Sequence, residues 1–378
     1  MLLWQNKNSG VAFRIAIAGD YLPAAGLHPP FARGWERMAA SLWKYFHDVD
    51  LSIVNLECPL DVESCAVRPK IGLGDTFAAP SASLEYLAPL RARIVGLANN
   101  HIYDYGAGGL QRTKQAIVQH GMIPLGSGCF LDEAPDVYVA TTPLGVRIGF
   151  WAAACHLPEL ASRTRSGVEP ATRARSRDAF ASLKRLGAHL CIAFLHAGIE
   201  HTNRPDPNDV ALMDDIVDFG FDIVAVSHSH RIAGFRSTIS KTARAAFCFY
   251  GLGSLSSGIR YSELEHEGMI AVVGLDRDGD IAQIEMRPIQ LSAEGWGTVP
   301  DPAAADRIND RFLLLSAEVA DGSYKQHFYH DSGKDLVERQ YRNLQAAYRA
   351  GGIPGVARIL SRIRLRHLNR AFYRAFGM

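Results

Sequence analysis

Five short apolar runs in this chain each stop on a carboxylate, an amide or an imidazole, and that repetition constrains the fold more than any other feature. Phe13-Arg14-Ile15-Ala16-Ile17-Ala18 stops at Gly19-Asp20, Leu51-Ser52-Ile53-Val54 at Asn55-Leu56-Glu57, and Arg93-Ile94-Val95-Gly96-Leu97-Ala98 at Asn99-Asn100-His101. In the second half, Leu190-Cys191-Ile192-Ala193-Phe194-Leu195 stops at His196, and Phe221-Asp222-Ile223-Val224-Ala225-Val226 at Ser227-His228-Ser229-His230. Runs this short and this apolar read as strands buried on both faces. Polar groups that end such strands lie on the open edge of a sheet, where α/β proteins bind their ligands.

Helical spacing separates the runs. Trp35, Met38, Leu42, Trp43 and Phe46 predict a helix over 34–47, and further helices are expected over 81–90, 108–120, 179–186 and 208–219. The segment 61–80 reads as a long loop beside the strand ends, and 158–177 as an exposed loop. Strands over 246–250, 269–275 and 281–288 follow, the last two joined by the hairpin signal Asp278-Gly279. Alternating strand and helix, then hairpins, predicts parallel strands in a layered α/β sheet with an antiparallel part. The pattern changes near Leu291, so a domain over 1–290 and a mainly helical extension over 291–378 are expected.

A chain of 378 residues with 48% hydrophobic content can bury a large core, and a formal net charge of +1 gives no general attraction to nucleic acid. Six cysteines without a C-x-x-C pair suit reduced, buried thiols and a cytoplasmic location. Met1-Leu2-Leu3-Trp4 is too short an apolar run for a signal peptide, and no stretch approaches a membrane span.

Two readings compete at the strand ends. Asn99 and Asn100 serve a turn and Asp104 caps the next helix, or these groups belong to a site. A single histidine after a strand favours the first reading. Several independent strand ends carrying only carboxylate, amide and imidazole favour the second, because carboxylates crowded on one edge repel unless a cation compensates them. Oxygen and nitrogen donors without cysteine suit one or two divalent ions of Mn, Fe, Zn or Mg. His228 and His230, two apart, face the same way on an extended backbone and can serve neighbouring ions.

Ala18-Gly19-Asp20, Asn55-Leu56-Glu57, the Leu97-to-Gly106 stretch, His196-Ala197-Gly198-Ile199-Glu200, Ser227-His228-Ser229-His230 and Tyr250-Gly251-Leu252-Gly253-Ser254 resemble, in order, the motifs of the CapA family of poly-γ-glutamate capsule synthesis proteins. The resemblance implies a layered α/β sandwich, the calcineurin-like metallophosphoesterase fold, with the helical extension after it. It implies Asp20 and His230 on one ion, Asn100, His196 and His228 on a second, and Glu57 bridging them. It also implies His101 as the group that protonates a leaving group or steadies developing charge, oriented by Asp104. The chain departs from the pattern at Leu22, where phosphoesterases carry a histidine, and at Ala197, Ser227 and Ser254.

The expected function is metal-activated hydrolysis of a peptide, polyglutamyl or phosphorylated substrate. Two alternatives keep the resemblance: a peptide epimerase inverting the Cα of the C-terminal residue of a ribosomal peptide, and a non-catalytic component of capsule or exopolysaccharide assembly. Gly253-Ser254-Leu255-Ser256 is not a nucleophile elbow, which argues against a serine hydrolase. Arg358, Arg362, Arg366, Arg370 and Arg374 recur every fourth residue and predict a basic ridge on a terminal helix, with Leu360, Ile363, Leu368, Phe372 and Phe376 opposite. Such a ridge suits a membrane surface, an acidic partner or a polyanionic substrate.

Overall fold

The computed structural model describes residues 1–6, 9–23, 40–63, 65, 76–241, 243–258 and 262–330. The arginine ridge and the part of the first predicted helix before residue 40 lie outside these residues, as does most of 61–80.

Two mixed sheets form the body. The first has nine strands in the path Leu2–Gln5, Ile281–Leu291, Glu267–Leu275, Phe13–Leu22, Leu51–Leu56, Ala92–Gly96 and Ile123–Leu125, with Ser254–Ser257 beside Phe13–Leu22 and Gly297–Thr298 beside Ile281–Leu291. The second runs Phe235–Ile239, Ala245–Phe249, Ile223–Ser227, Leu190–His196, Arg147–Ala154 and Val137–Thr141. In the first sheet the half from Phe13–Leu22 to Ile123–Leu125 is parallel and the half from Phe13–Leu22 to Leu2–Gln5 antiparallel; in the second the central strands are parallel and both edge strands antiparallel. This is the layered α/β sandwich predicted from the sequence.

Strand alternation explains the layers. Ile192 and Phe194 join the core that also holds Ile15, Ile17 and Ile53 of the first sheet. Cys191, Ala193 and Leu195, pointing the other way, pack with Ala179 and Leu183 of helix Arg173–Arg185 and with Met213 and Ile216 of helix Pro207–Phe219. Burial on both faces is why the Leu190 run lacks polar interruptions. His196 continues the inward-facing series from Ile192 and Phe194, so it emerges at the carboxyl end between the two sheets.

Several predicted boundaries shift for identifiable reasons. The first strand does not end at Ala18 but continues to Leu22, because Ser254–Ser257 adds a parallel partner at Asp20, Tyr21 and Leu22. The segment predicted as helix over 81–90 is a 3-10 turn over Ser81–Tyr86. The helix expected from residue 179 begins at Arg173, where the Thr172 side chain accepts a hydrogen bond from Arg175 N. Short half-exposed strands such as Leu2–Gln5 and Phe235–Ile239 carry too little periodicity to be recognised in the sequence. Helix Pro302–Asp321 contributes Ile308, Phe312 and Leu315 to the inter-sheet core. Among the described residues no helix is long and apolar enough to cross a membrane.

Candidate metal centre

A bulge between Ile17 and Asp20 brings Asp20 opposite Asn55 on the neighbouring parallel strand. Asn55 Nδ2 donates to Asp20 Oδ1 at 2.7 Å, and Asn99 Nδ2 donates to Asn55 Oδ1 at 3.1 Å. Asp20 Oδ2 accepts from His228 N at 3.1 Å and lies 3.2 Å from His230 Nδ1. Glu57, fully buried, sits between two sets of donors: Oε1 is 3.6 Å from His196 Nε2 and Oε2 is 3.8 Å from His230 Nδ1. Asn100 Oδ1 is 2.8 Å from His196 Nε2.

The donor atoms thus fall into two groups that share one carboxylate. Glu57, His196 and His228 offer one set and Asp20, Glu57 and His230 the other, with the atoms of each set within 4.8 Å of one another. Every sequence-predicted ligand, Asp20, Glu57, Asn100, His196, His228 and His230, is brought to this edge. The residues present fit a divalent cation, since the two groups are carboxylate and imidazole throughout, with the Asn100 amide oxygen beside them. In addition, His228 Nδ1 is buried with no hydrogen-bond partner among the described residues. Leu22, at the position where a phosphoesterase carries a histidine, is buried in the core and supplies no donor.

The electrostatics follow from burial and proximity. Burial raises the Asp20 carboxyl, but the hydrogen bond and charge of His230, with His196 and Asn55, outweigh it and hold Asp20 below the usual carboxylate range. Burial lowers the His230 imidazole, yet Glu57 and Asp20 overturn this and push it up to about 10. His196 and His228 are held below the ordinary imidazole value, mainly by burial, with neighbouring imidazoles adding to it. Neutral imidazoles are the form that binds metal.

His101 and Asp104 form a separate pair beside this cluster. His101 Nδ1 lies 3.0 Å from Asp104 Oδ2, which also accepts from Phe77 N at 2.9 Å. Asp104 does not cap the following helix: helix Gly106–Gln119 has Tyr105 at its N-cap and no side-chain capping bond. Asn99 is the turn residue of the pair of asparagines, accepting from His101 N and Ile102 N. The turn reading therefore holds for Asn99 and fails for Asn100 and Asp104.

The backbone of Ser227-His228-Ser229-His230 differs from expectation. It is not extended past the strand end; His228 has φ 111° and His230 φ 56°. Left-handed conformations at non-glycine residues cost about 1–3 kcal/mol each and persist only where surroundings enforce them. Here the turn is held by His201, whose N donates to Ser229 O at 2.9 Å and whose Nδ1 is 3.0 Å from Glu265 Oε1. With this twist the two imidazoles still fall into different donor groups, His228 beside His196 and His230 beside Asp20.

Sequence reasoning gave no role to Asn55, His201, Ser254 or Glu265. Asn55 ends a strand beside Glu57, which was a usable signal. Ser254 Oγ, at one of the positions where the chain departs from the family pattern, lies 3.2 Å from His230 Nδ1, whereas nothing in the local sequence marks Glu265.

Residues 14–258 match the bacterial capsule synthesis protein family PGA_cap. The chain is 26% identical over 288 residues to the capsule biosynthesis protein CapA of Bacillus anthracis, covering 74% of this chain and 66% of that protein. It is 33% identical over 156 residues to a probable polyglutamine synthesis accessory protein of Mycobacterium tuberculosis, covering 38% of this chain and 41% of the relative. The matched region thus spans just under two thirds of the Bacillus protein's length and less than half of the mycobacterial one's. Among solved structures, the calcineurin-like phosphoesterase YfkN from Bacillus subtilis aligns with a TM-score of 0.44 at 13% identity, over 82% of this chain and 99% of that one. The family match covers most of the chain and includes every proposed metal ligand, from Asp20 to His230, and on that ground the chain belongs to the PGA_cap family of bacterial capsule synthesis proteins.

Proposed function

We propose that this chain is a divalent-metal-dependent hydrolase acting on a peptide, polyglutamyl or phosphorylated substrate. The observation that carries the reading is Glu57, a buried carboxylate whose two oxygens face two separate donor groups. Asp20 and His230 hold one side, His196, His228 and Asn100 the other. One or two divalent cations bound there supply Lewis acidity, lowering the pKa of water and neutralising negative charge on a substrate.

The chain's own residues do the rest. Asn55 fixes the Asp20 carboxylate, and Ser227, against Nδ1, steadies the His196 ring with Nε2 left for the cation. Asp104 holds Nδ1 of His101, so proton exchange with a leaving group runs through Nε2. The Phe77 ring, with its centroid 4.4 Å from that of His101, shields one face of the imidazole from water. The names of the relatives, capsule biosynthesis and polyglutamine synthesis, direct attention to polyglutamyl polymers first.

The test uses the full chain, stripped and reloaded with Mn²⁺, against poly-γ-glutamate, glutamyl peptides and p-nitrophenyl phosphate. Cleavage that depends on metal and disappears in Glu57→Gln is expected. Failure to bind any divalent ion, or tight binding with no cleavage of any of the three, overturns the hydrolase reading. Deuterium uptake at Cα from heavy water, with peptide mass otherwise unchanged, replaces it with epimerisation.

A further inference from the structure

Strand Arg147–Ala154 runs beside Leu190–His196 with Ala154 opposite His196, and Cys155 N donates to His196 O at 3.0 Å. Alternation turns Cys155 away from the centre described above, into the layer between the second sheet and its helices. There it meets His156 and Asp209. One donor atom from each of these three, a sulfur, a nitrogen and an oxygen, lies within 4.8 Å of the other two. We propose that Cys155, His156 and Asp209 form a second divalent-metal site, for a borderline cation of the Zn²⁺ class, independent of the Glu57 centre.

Four features support it. Asp209 is 5% exposed, and its Oδ2 is buried with no hydrogen-bond partner among the described residues. A buried carboxylate oxygen in that condition is costly unless something compensates it. Asp209 is not needed as a cap, because Asp206 already caps helix Pro207–Phe219 by accepting from Asn208 N. His156 takes a left-handed backbone, φ 58°, and its Nε2 lies 3.0 Å from Asp209 Oδ1. A His156 side chain 71% exposed leaves an entry path and room for water as a fourth ligand. Thiolate, imidazole and carboxylate together select zinc-like cations over the oxygen-preferring Mg²⁺. Binding forms a metal–sulfur bond, and the thiol proton passes to solvent.

Cobalt distinguishes this site from the other, because a thiolate ligand gives a near-ultraviolet sulfur-to-cobalt charge-transfer band that nitrogen and oxygen donors do not. The chelator-stripped full chain titrated with Co²⁺ is expected to develop such a band, which saturates as Co²⁺ is added and is bleached by Zn²⁺. The band is lost in Cys155→Ser and kept in both Cys58→Ser and Glu57→Gln. Asp209→Asn preserves volume and guards against misfolding of the cysteine variant; it shifts the titration midpoint at least tenfold. Absence of the band, its survival in Cys155→Ser, or an unchanged midpoint in Asp209→Asn overturns the proposal, whatever the fate of the Glu57 centre.

Discussion

Asn55 and Asp20 meet across adjacent parallel strands, with Asn55 Nδ2 2.7 Å from Asp20 Oδ1. The bond occupies one carboxylate oxygen and leaves Oδ2 directed at His230 and the His228 amide. Asn55 is itself held by Asn99, whose other contacts form the turn that presents Asn100 and His101. One amide thus ties three strand ends into a fixed geometry. Asn55→Leu keeps the shape and removes the donor. It is expected to weaken Mn²⁺ binding by about 10–100-fold, read by titration calorimetry, and to cost about 1–3 kcal/mol in urea unfolding.

Glu57→Gln removes the charge common to both donor groups. In the parent chain, Mn²⁺ at a hundredfold excess over its Kd is expected to stabilise the fold by about 3 kcal/mol. That metal-dependent rise in Tm is expected to collapse in the variant, and metal content by elemental analysis to fall with it. A variant that still binds two ions would show that Glu57 does not bridge.

His101→Ala and Asp104→Asn separate proton transfer from metal binding. Neither residue belongs to the two donor groups, so metal stoichiometry is expected to stay unchanged in both. Turnover is expected to fall about 10²–10⁴-fold for His101→Ala. Asp104→Asn, which acts by orienting the ring, is expected to fall about 10–100-fold. Initial rates on a substrate with a poor leaving group provide the measurement.

Gly19→Ala tests the strand extension that carries Asp20. A Cβ at Gly19 would lie 1.9 Å from the Gly253 carbonyl oxygen, which accepts from Asp20 N at 3.2 Å. The methyl would collide with the Leu252-Gly253 backbone, which is not the movable end of a side chain. A loss of about 3 kcal/mol in urea unfolding is expected, with metal affinity falling in the fraction that folds.

Asp222 supplies a pH dependence away from the centre. Burial pushes its carboxyl up to about 6, partly offset by the Cys191 amide and Arg244. A folded-state pKa above the unfolded one gives stability that is present at low pH and lost as pH rises. The unfolded chain releases this proton near pH 4, while the folded one keeps it to about 6. Stability is therefore expected to fall across that window by on the order of 2–3 kcal/mol from this group. Asp222→Asn is expected to flatten the slope there, measured by urea unfolding at a series of pH values.

The sequence by itself determined which residues end the buried strands, and with them the layered α/β class. A strand buried on both faces leaves an unmistakable apolar run, and the polar residue that ends it is visible by contrast, as at Asn55-Leu56-Glu57 and His196. Motif order identified the family for the same reason, since order survives where spacing drifts.

Only the tertiary structure decided how those ends combine. Glu57 faces His196 and His230 because two sheets pack face to face, and no local pattern records which sheet a strand joins. The separate donor groups of His228 and His230 are set in a left-handed turn held by His201 and, through it, by Glu265, contacts that no local pattern records. Cys155 and Asp209 meet because strand alternation and helix docking place them together across a long sequence separation. Local chemistry is written residue by residue, whereas convergence depends on register and layer order, which the whole core fixes at once.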